Sequence, residues 1–178
     1  LMDVFAAGDT PTGTALDARV GGSPFNVAVG LARLAQPVAF FGAVSSGFLG
    51  ERLMQALRSE GVDCASVTRP DAPTTLGLVG LDAKGVPSYS FYGDNCADRL
   101  LGAEALALLP ARIGALQVGS YATVVRPIAG TLRMLVEREH RRTPICYDPN
   151  VRLNVEPALQ PWREMLQWML PRTHLLKI

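Results

Sequence analysis

Cysteine is scarce: three in 178 residues, at positions 64, 96 and 146. They are odd in number and too far apart for a CxxC pair, which excludes a balanced disulfide framework and points to a reducing cytoplasm. No apolar run approaches the ~20 residues needed to span a bilayer, and the first residues lack the basic start and apolar core of a signal peptide. No membrane partner is therefore expected. Charge of one sign is also missing, since 17 Lys and Arg against 16 Asp and Glu leave a formal +1, so nothing in the balance asks for nucleic acid. A nucleotide loop is absent in recognisable form. Gly42-Ala-Val-Ser-Ser-Gly47 has the first spacing of a P-loop but no Lys-Ser/Thr follows, and Gly21-Gly22 begins no G-x-G-x-x-G. Among the residue types that ligate metals no cluster suggests a site.

What is present is the make-up of an ordinary globular chain, 48% hydrophobic and 19% charged, long enough to bury roughly two thirds of its unfolded surface. Short β-rich runs alternate with helical ones, the pattern of an α/β sheet with crossover helices. Strands are expected at Pro37 to Val44, Ile113 to Val118, Pro144 to Asp148 and His174 to Ile178. Helices are expected at Leu49 to Arg58, closed by Gly61, at Pro127 to Glu139 and at Pro161 to Leu170. The basic run Arg138 to Arg142, with Glu139 and His140 inside it, falls where the second of these ends and complements its dipole. Thr74 to Leu81, a turn at Asp82-Ala83-Lys84-Gly85, and Val86 to Tyr92 break the rhythm and read as a β-hairpin with one wetter face. Such a projecting sheet serves as a lid or a dimer surface.

The stretch Gly21-Gly22-Ser23-Pro24-Phe25-Asn26 places backbone that can approach a ligand closely ahead of a helix. Ser23 is expected to cap that helix with Pro24 in its first turn. Asn26 offers both a donor and an acceptor, suited to two neighbouring hydroxyls or to a local cap. Asp148, Asn150 and Arg152 follow a strand at the carboxyl edge, where open α/β sheets bind ligands, although Asp-Pro-Asn also makes a plain turn.

In order along the chain, Gly21 to Asn26, Val44-Ser45-Ser46-Gly47-Phe48-Leu49-Gly50, Glu60 to Asp63, the Thr74-Thr75 strand with its hairpin, Phe91-Tyr92 to Ala97-Asp98, and Asp148-Pro149-Asn150-Val151-Arg152 resemble the PfkB, or ribokinase-like, sugar kinases, the fructokinase-like members most closely. The resemblance implies a ribokinase-like α/β fold: a mostly parallel sheet flanked by helices, with a small antiparallel β lid whose strands lie near 17–22 and 74–92. It implies MgATP-dependent phosphorylation of a sugar hydroxyl, with ATP and Mg2+ as cofactors and room for a monovalent cation. It places Asp3 at the end of the first strand as the carboxylate that grips sugar hydroxyls. Gly21, Gly22 and Asn26 form the acceptor loop, Tyr92 lines the same pocket from the lid, and Arg152 meets a phosphate oxygen or an acidic group of the acceptor. Asp148 and Asn150 fall on the phosphate side.

The catalytic base and the nucleotide-binding half are expected beyond Ile178, residues 1–178 being the N-terminal portion of one domain. Where the fructokinases and the 2-keto-3-deoxygluconate kinases often place an arginine after Phe-Tyr, this chain has Gly93, which favours a neutral ketohexose such as fructose over a keto-deoxy sugar acid. A nucleoside kinase of the same fold and a non-catalytic sugar-binding module are the other readings. A homodimer through the β lid is the expected self-association.

Overall fold

The computed structural model describes residues 1–81 and 87–178; the turn read at Asp82 to Gly85 lies outside them. In chain order the elements are β1 (Met2–Thr10), β2 (Gly13–Val20), α1 (Ser23–Arg33), β3 (Gly42–Ala43), α2 (Phe48–Ser59), β4 (Val67–Thr68), β5 (Leu76–Leu81), β6 (Pro87–Tyr92), β7 (Leu116–Gly119), α3 (Ile128–Glu139), β8 (Ile145–Asp148), α4 (Leu159–Met169) and β9 (Leu175–Leu176).

The strands of the described residues form three sheets: β2-β1-β5-β6, β3-β4 and β7-β8-β9. The last two are parallel. The first is the lid sheet, antiparallel within its two hairpins, with β1 and β5 parallel at its centre. Its first hairpin is more extensive than the expected strand at 17–22. Thr10-Pro11-Thr12-Gly13 turns the chain, with proline in the position that favours its fixed φ, and β1 runs nine residues rather than ending near Asp3. Asp3 thus sits near the beginning of the strand. The expected strand at Pro37 to Val44 shortens to Gly42–Ala43 plus a single parallel bridge between Ala39 and Asp63.

Helix α2 forms because Leu49, Leu53 and Leu57 recur on one face. Leu53, Met54 and Leu57 are buried, and Gly61, at φ 81°, lets the chain leave. Burying a leucine such as Leu57 completely contributes about 1.5–3 kcal/mol. With Phe25 and Ala28 of α1 and Met2 and Val4 of β1 these residues make one core under the lid sheet. A second core lies between β7–β8 and the apolar faces of α3 and α4, around Val118, Val136, Tyr147, Met165 and Met169.

The basic run at the end of α3 closes on its own acid. Glu139, 1% exposed, accepts hydrogen bonds from Arg138, Arg142 and the Thr143 hydroxyl. The bond from Arg142 is the chief reason its carboxyl titrates below the ordinary range. A depressed carboxyl stabilises the fold above its unfolded pKa and loses that contribution as pH falls through the folded one. Glu139→Gln is accordingly expected to lower Tm at neutral pH, with the gap from the parent closing under acid. A gap that stays constant in melts from neutral to acid pH would contradict this.

Candidate functional site

Asp3 lies on β1 between Arg19 of β2 and Gly77 of β5. Both flanks are cleared for its carboxylate. A Cβ at Gly21 would stand 2.1 Å from Asp3 Oδ2, and one at Gly77 would stand 3.1 Å from Oδ1 and 3.3 Å from a ring carbon of Phe91. The adjacent Arg19 does not neutralise Asp3, because its guanidinium pairs with Asp17 at 2.7 Å and lies over the Phe5 ring. Partial burial pushes the Asp3 carboxyl above its ordinary pKa. The result is an acceptor of hydrogen bonds that no side-chain bond satisfies among the described residues, on a floor of glycine.

Gly22, at φ 108°, delivers the chain into α1 and is itself the N-cap. Ser23 does not cap: the helix already includes it, and no side-chain bond closes the N-terminus. The expectation fails because glycine in a left-handed conformation moves the boundary back by one residue. Asn26 sits in the first turn, exposed, its N–H bonded to Gly22 O at 2.9 Å. Its side chain makes no hydrogen bond among the described residues and remains open to a ligand. Tyr92 is a correction of another kind. It pairs with Leu76, which pairs with Met2 of the core face. Side chains alternate along a strand, so Phe91, opposite Gly77, shares the face of Asp3, and Tyr92 does not.

Sequence reasoning missed a chain of polar groups beneath this face. The Thr75 hydroxyl donates to Asp98 Oδ1 at 2.5 Å and the Tyr121 hydroxyl to Asp98 Oδ2 at 2.9 Å. Burial, then the Asp98 charge, raises the Tyr121 phenol well above its ordinary value, so it stays a donor at neutral pH. The available signal was Tyr121 itself, two residues past a strand, at the edge where ligands bind. Asp98 and Gly21-Gly22 border a crevice of about 950 Å³, open solvent included, between the β3–β4 and β7–β9 sheets. Phe40, Phe41, Val118, Ile128 and Leu132 contribute apolar side chains to its lining. Those side chains offer hydroxyl groups no partner, whereas Asp98, Ser120 and Tyr121 in the same lining do.

The residues expected on the phosphate side cluster separately, past the carboxyl ends of β7 and β8. Asp148 accepts from Lys177 Nζ at 2.9 Å and from the Asn150 N–H at 3.0 Å. The Asn150 amide faces Ser120 Oγ at 3.4 Å. Ser120 and Asn150 both hold positive φ, 58° and 39°, a conformation that costs energy in residues other than glycine and that concentrates at functional sites. Arg152 follows this edge, exposed, with its guanidinium turned back onto Val151 O at 2.9 Å. Arg152 thus follows Asp148 and Asn150 along the chain, with its guanidinium on main-chain carbonyls and not on their side chains.

A sequence profile described as pfkB family carbohydrate kinase matches residues 2–178. The chain belongs to the pfkB family. A fructokinase of Rhizobium leguminosarum bv. trifolii is 33% identical over 132 residues, 74% of this chain and 40% of that protein. Fructokinase-1 of Zea mays is 30% identical over 161 residues, 89% of this chain and 50% of that protein. The crystal structure of a fructokinase from Xylella fastidiosa superposes with a TM-score of 0.89 at 27% identity, covering 99% of this chain and 56% of the other. The chain spans about half the length of the curated relatives it matches. The pfkB fold accounts for the expected α/β body with its β lid.

Proposed function

We propose that the chain forms the acceptor-binding part of a kinase that transfers the γ-phosphoryl group of ATP to a hydroxyl of a ketohexose, fructose foremost. The observation that carries this reading is the Asp3 carboxylate held clear by Gly21 and Gly77. A carboxylate accepts from vicinal hydroxyls, and each bond to a charged partner contributes about 1.5–3 kcal/mol against ~1 for a neutral one. Gly21-Gly22 lets backbone approach the ligand, and Asn26 adds a donor and an acceptor. The named relatives are fructokinases, and one solved structure of this fold, 26% identical, is a Xylella fastidiosa fructokinase with bound ATP.

ATP, when bound with Mg2+, supplies the phosphoryl group and the charge neutralisation that its transfer requires. The donor set past β7 and β8 fits that group. Lys177, 69% exposed and paired with Asp148 at 2.9 Å, is a cation that would attract a phosphate, and Asp148 would offer the carboxylate that Mg2+, with its retained waters, commonly takes. Among the described residues no cluster of three His, Cys, Asp or Glu offers a protein-only metal cage. A monovalent cation belongs to the same reading. Three free cysteines fit a reducing cytoplasm, and none of the helices is long and apolar enough to cross a membrane, among the described residues. Exposed Leu16 and Tyr92 on the lid sheet supply apolar surface that a second copy would cover.

A phosphorylation panel with the full-length protein tests the substrate assignment: fructose, tagatose, ribose, 2-keto-3-deoxygluconate and adenosine. Fructose is expected to show the highest kcat/KM. Preference for the sugar acid or for adenosine would overturn the assignment.

A further inference from the structure

A buried guanidinium beside the site has too few partners. The Arg99 side chain is 15% exposed. Its Nε has no hydrogen-bond partner among the described residues. Its one side-chain hydrogen bond among the described residues runs from Nη1 to Asp94 Oδ1 at 3.2 Å, and Asp94 is 98% exposed, so water screens the pair and it contributes little. The guanidinium stands 6.0 Å from the Tyr121 ring centroid, at the limit of a cation–π contact. Five N–H donors need acceptors, and a buried charge without them is costly. Among the described residues Nε is the one fully buried nitrogen of this guanidinium left without an acceptor.

The direction of the guanidinium is set by Gly93. A Cβ there would lie 2.5 Å from Arg99 Nη2, 3.1 Å from Cζ and 3.2 Å from Nε. Any side chain at position 93 would therefore start where the guanidinium now is. Gly93 follows β6 by one residue, and the pleat that puts Phe91 on the face of Asp3 puts position 93 on that face too. Thr75, whose hydroxyl donates to Asp98, precedes β5 by one residue as Gly93 follows β6 by one. A carboxylate at Asp3 and a guanidinium over Gly93 thus sit on one face, about 7 Å apart along the strands and about 10 Å across them by ordinary sheet spacings. Gly77, between them, carries no side chain, and the edge of the Phe91 ring lies over it, 3.3 Å from where a Cβ would stand.

We propose that Arg99 is a specificity-determining residue of the acceptor site. Through the notch left by Gly93, its free N–H groups donate to vicinal oxygens of the sugar at the end opposite Asp3. The proposal rests on reading the Asp3 face as an acceptor site. It gives Gly93 a positive role: the missing side chain removes no cation, because the space it vacates is filled by one from Arg99.

The test is steady-state kinetics of full-length Arg99→Gln, Arg99→Lys and Gly93→Ala, with Tm measured on each. Arg99→Gln is expected to raise KM for fructose roughly ten- to a hundredfold, the scale of bonds from a charged donor, with KM for ATP and Tm near the parent values. Arg99→Lys should fall between, since an ammonium cannot bind two oxygens in a plane. Gly93→Ala should raise KM for fructose without touching any charge, by displacing the guanidinium. A parent-like fructose KM in both Arg99→Gln and Gly93→Ala, in a protein that does phosphorylate fructose, would overturn the proposal and leave the kinase reading intact. A parent protein that phosphorylates no sugar would overturn both.

Discussion

Asp3→Ala in the full-length protein is expected to lower kcat/KM for fructose roughly ten- to 150-fold, with KM for ATP unchanged. The size follows from removing a charged hydrogen-bond acceptor, about 1.5–3 kcal/mol. Its selectivity follows from geometry, since Asp3 lies on the lid sheet while Lys177, Asp148 and Asn150 lie past β7 and β8. The same site predicts an opposite effect on stability. Because partial burial raises the Asp3 carboxyl pKa, its ionisation disfavours the fold at any pH above the unfolded value, and that penalty disappears under acid where the group is protonated in both states. Asp3→Asn should therefore melt higher than the parent at neutral pH, with the difference vanishing at low pH, while using fructose poorly. Unchanged kinetics, or equal damage to fructose and ATP use, would remove Asp3 from the acceptor site.

The largest effect on stability is expected from Gly50→Ala. In an ordinary helix this change would stabilise by up to about 1 kcal/mol. Here a Cβ would stand 1.8 Å from Ser45 O and 2.6 Å from its carbonyl carbon, backbone atoms that no rotamer change can move. Ser45 is itself tied down, its hydroxyl donating to Ala72 O and accepting from the Gly47 N–H. Either α2 shifts away from the core formed by Leu53, Met54 and Leu57, or the loop from 45 to 47 does. Overpacking of this kind costs about 1–3 kcal/mol or more, which for a chain of this size lowers Tm by some 2–4 °C per kcal/mol. Melting of the variant at or above the parent temperature would show that the contact between Gly50 and Ser45 is not a constraint on the fold.

Much of this arrangement could be read from residue order, and the failures have definite causes. Helices α2, α3 and α4 emerged within a residue or two of their ends because their apolar positions recur at helical spacing over three turns. The first hairpin did not emerge, since Ala6-Ala7-Gly8 carries neither alternation nor β-branched residues, and a bulge there breaks the period. Pro11 and Gly13 were its one local sign. Gly21 and Gly22 stood out as a loop of close backbone approach and Asp3 through a family resemblance, but the clearance that Gly21 and Gly77 give one carboxylate needs the strands side by side. Tyr92 was assigned to the wrong face because a register of one residue decides which side a strand residue serves, and register is a property of the pairing. The Thr75-Asp98-Tyr121 chain joins residues 23 apart on each link, a separation that carries no periodic signal. The exchange of side-chain volume between Gly93 and Arg99 has the same character: Gly93 reads as the loss of a cation until the fold places the Arg99 guanidinium where its side chain would begin.

The proposed acceptor site requires that a ketose, held by its hydroxyls, be phosphorylated. Phosphorus NMR of the full-length protein with ATP, Mg2+ and fructose tests it most directly. The expected result is loss of the γ-phosphorus signal matched one for one by a sugar phosphomonoester, with no change when fructose is left out. Release of inorganic phosphate alone, or no fructose-dependent change in the spectrum, would contradict it.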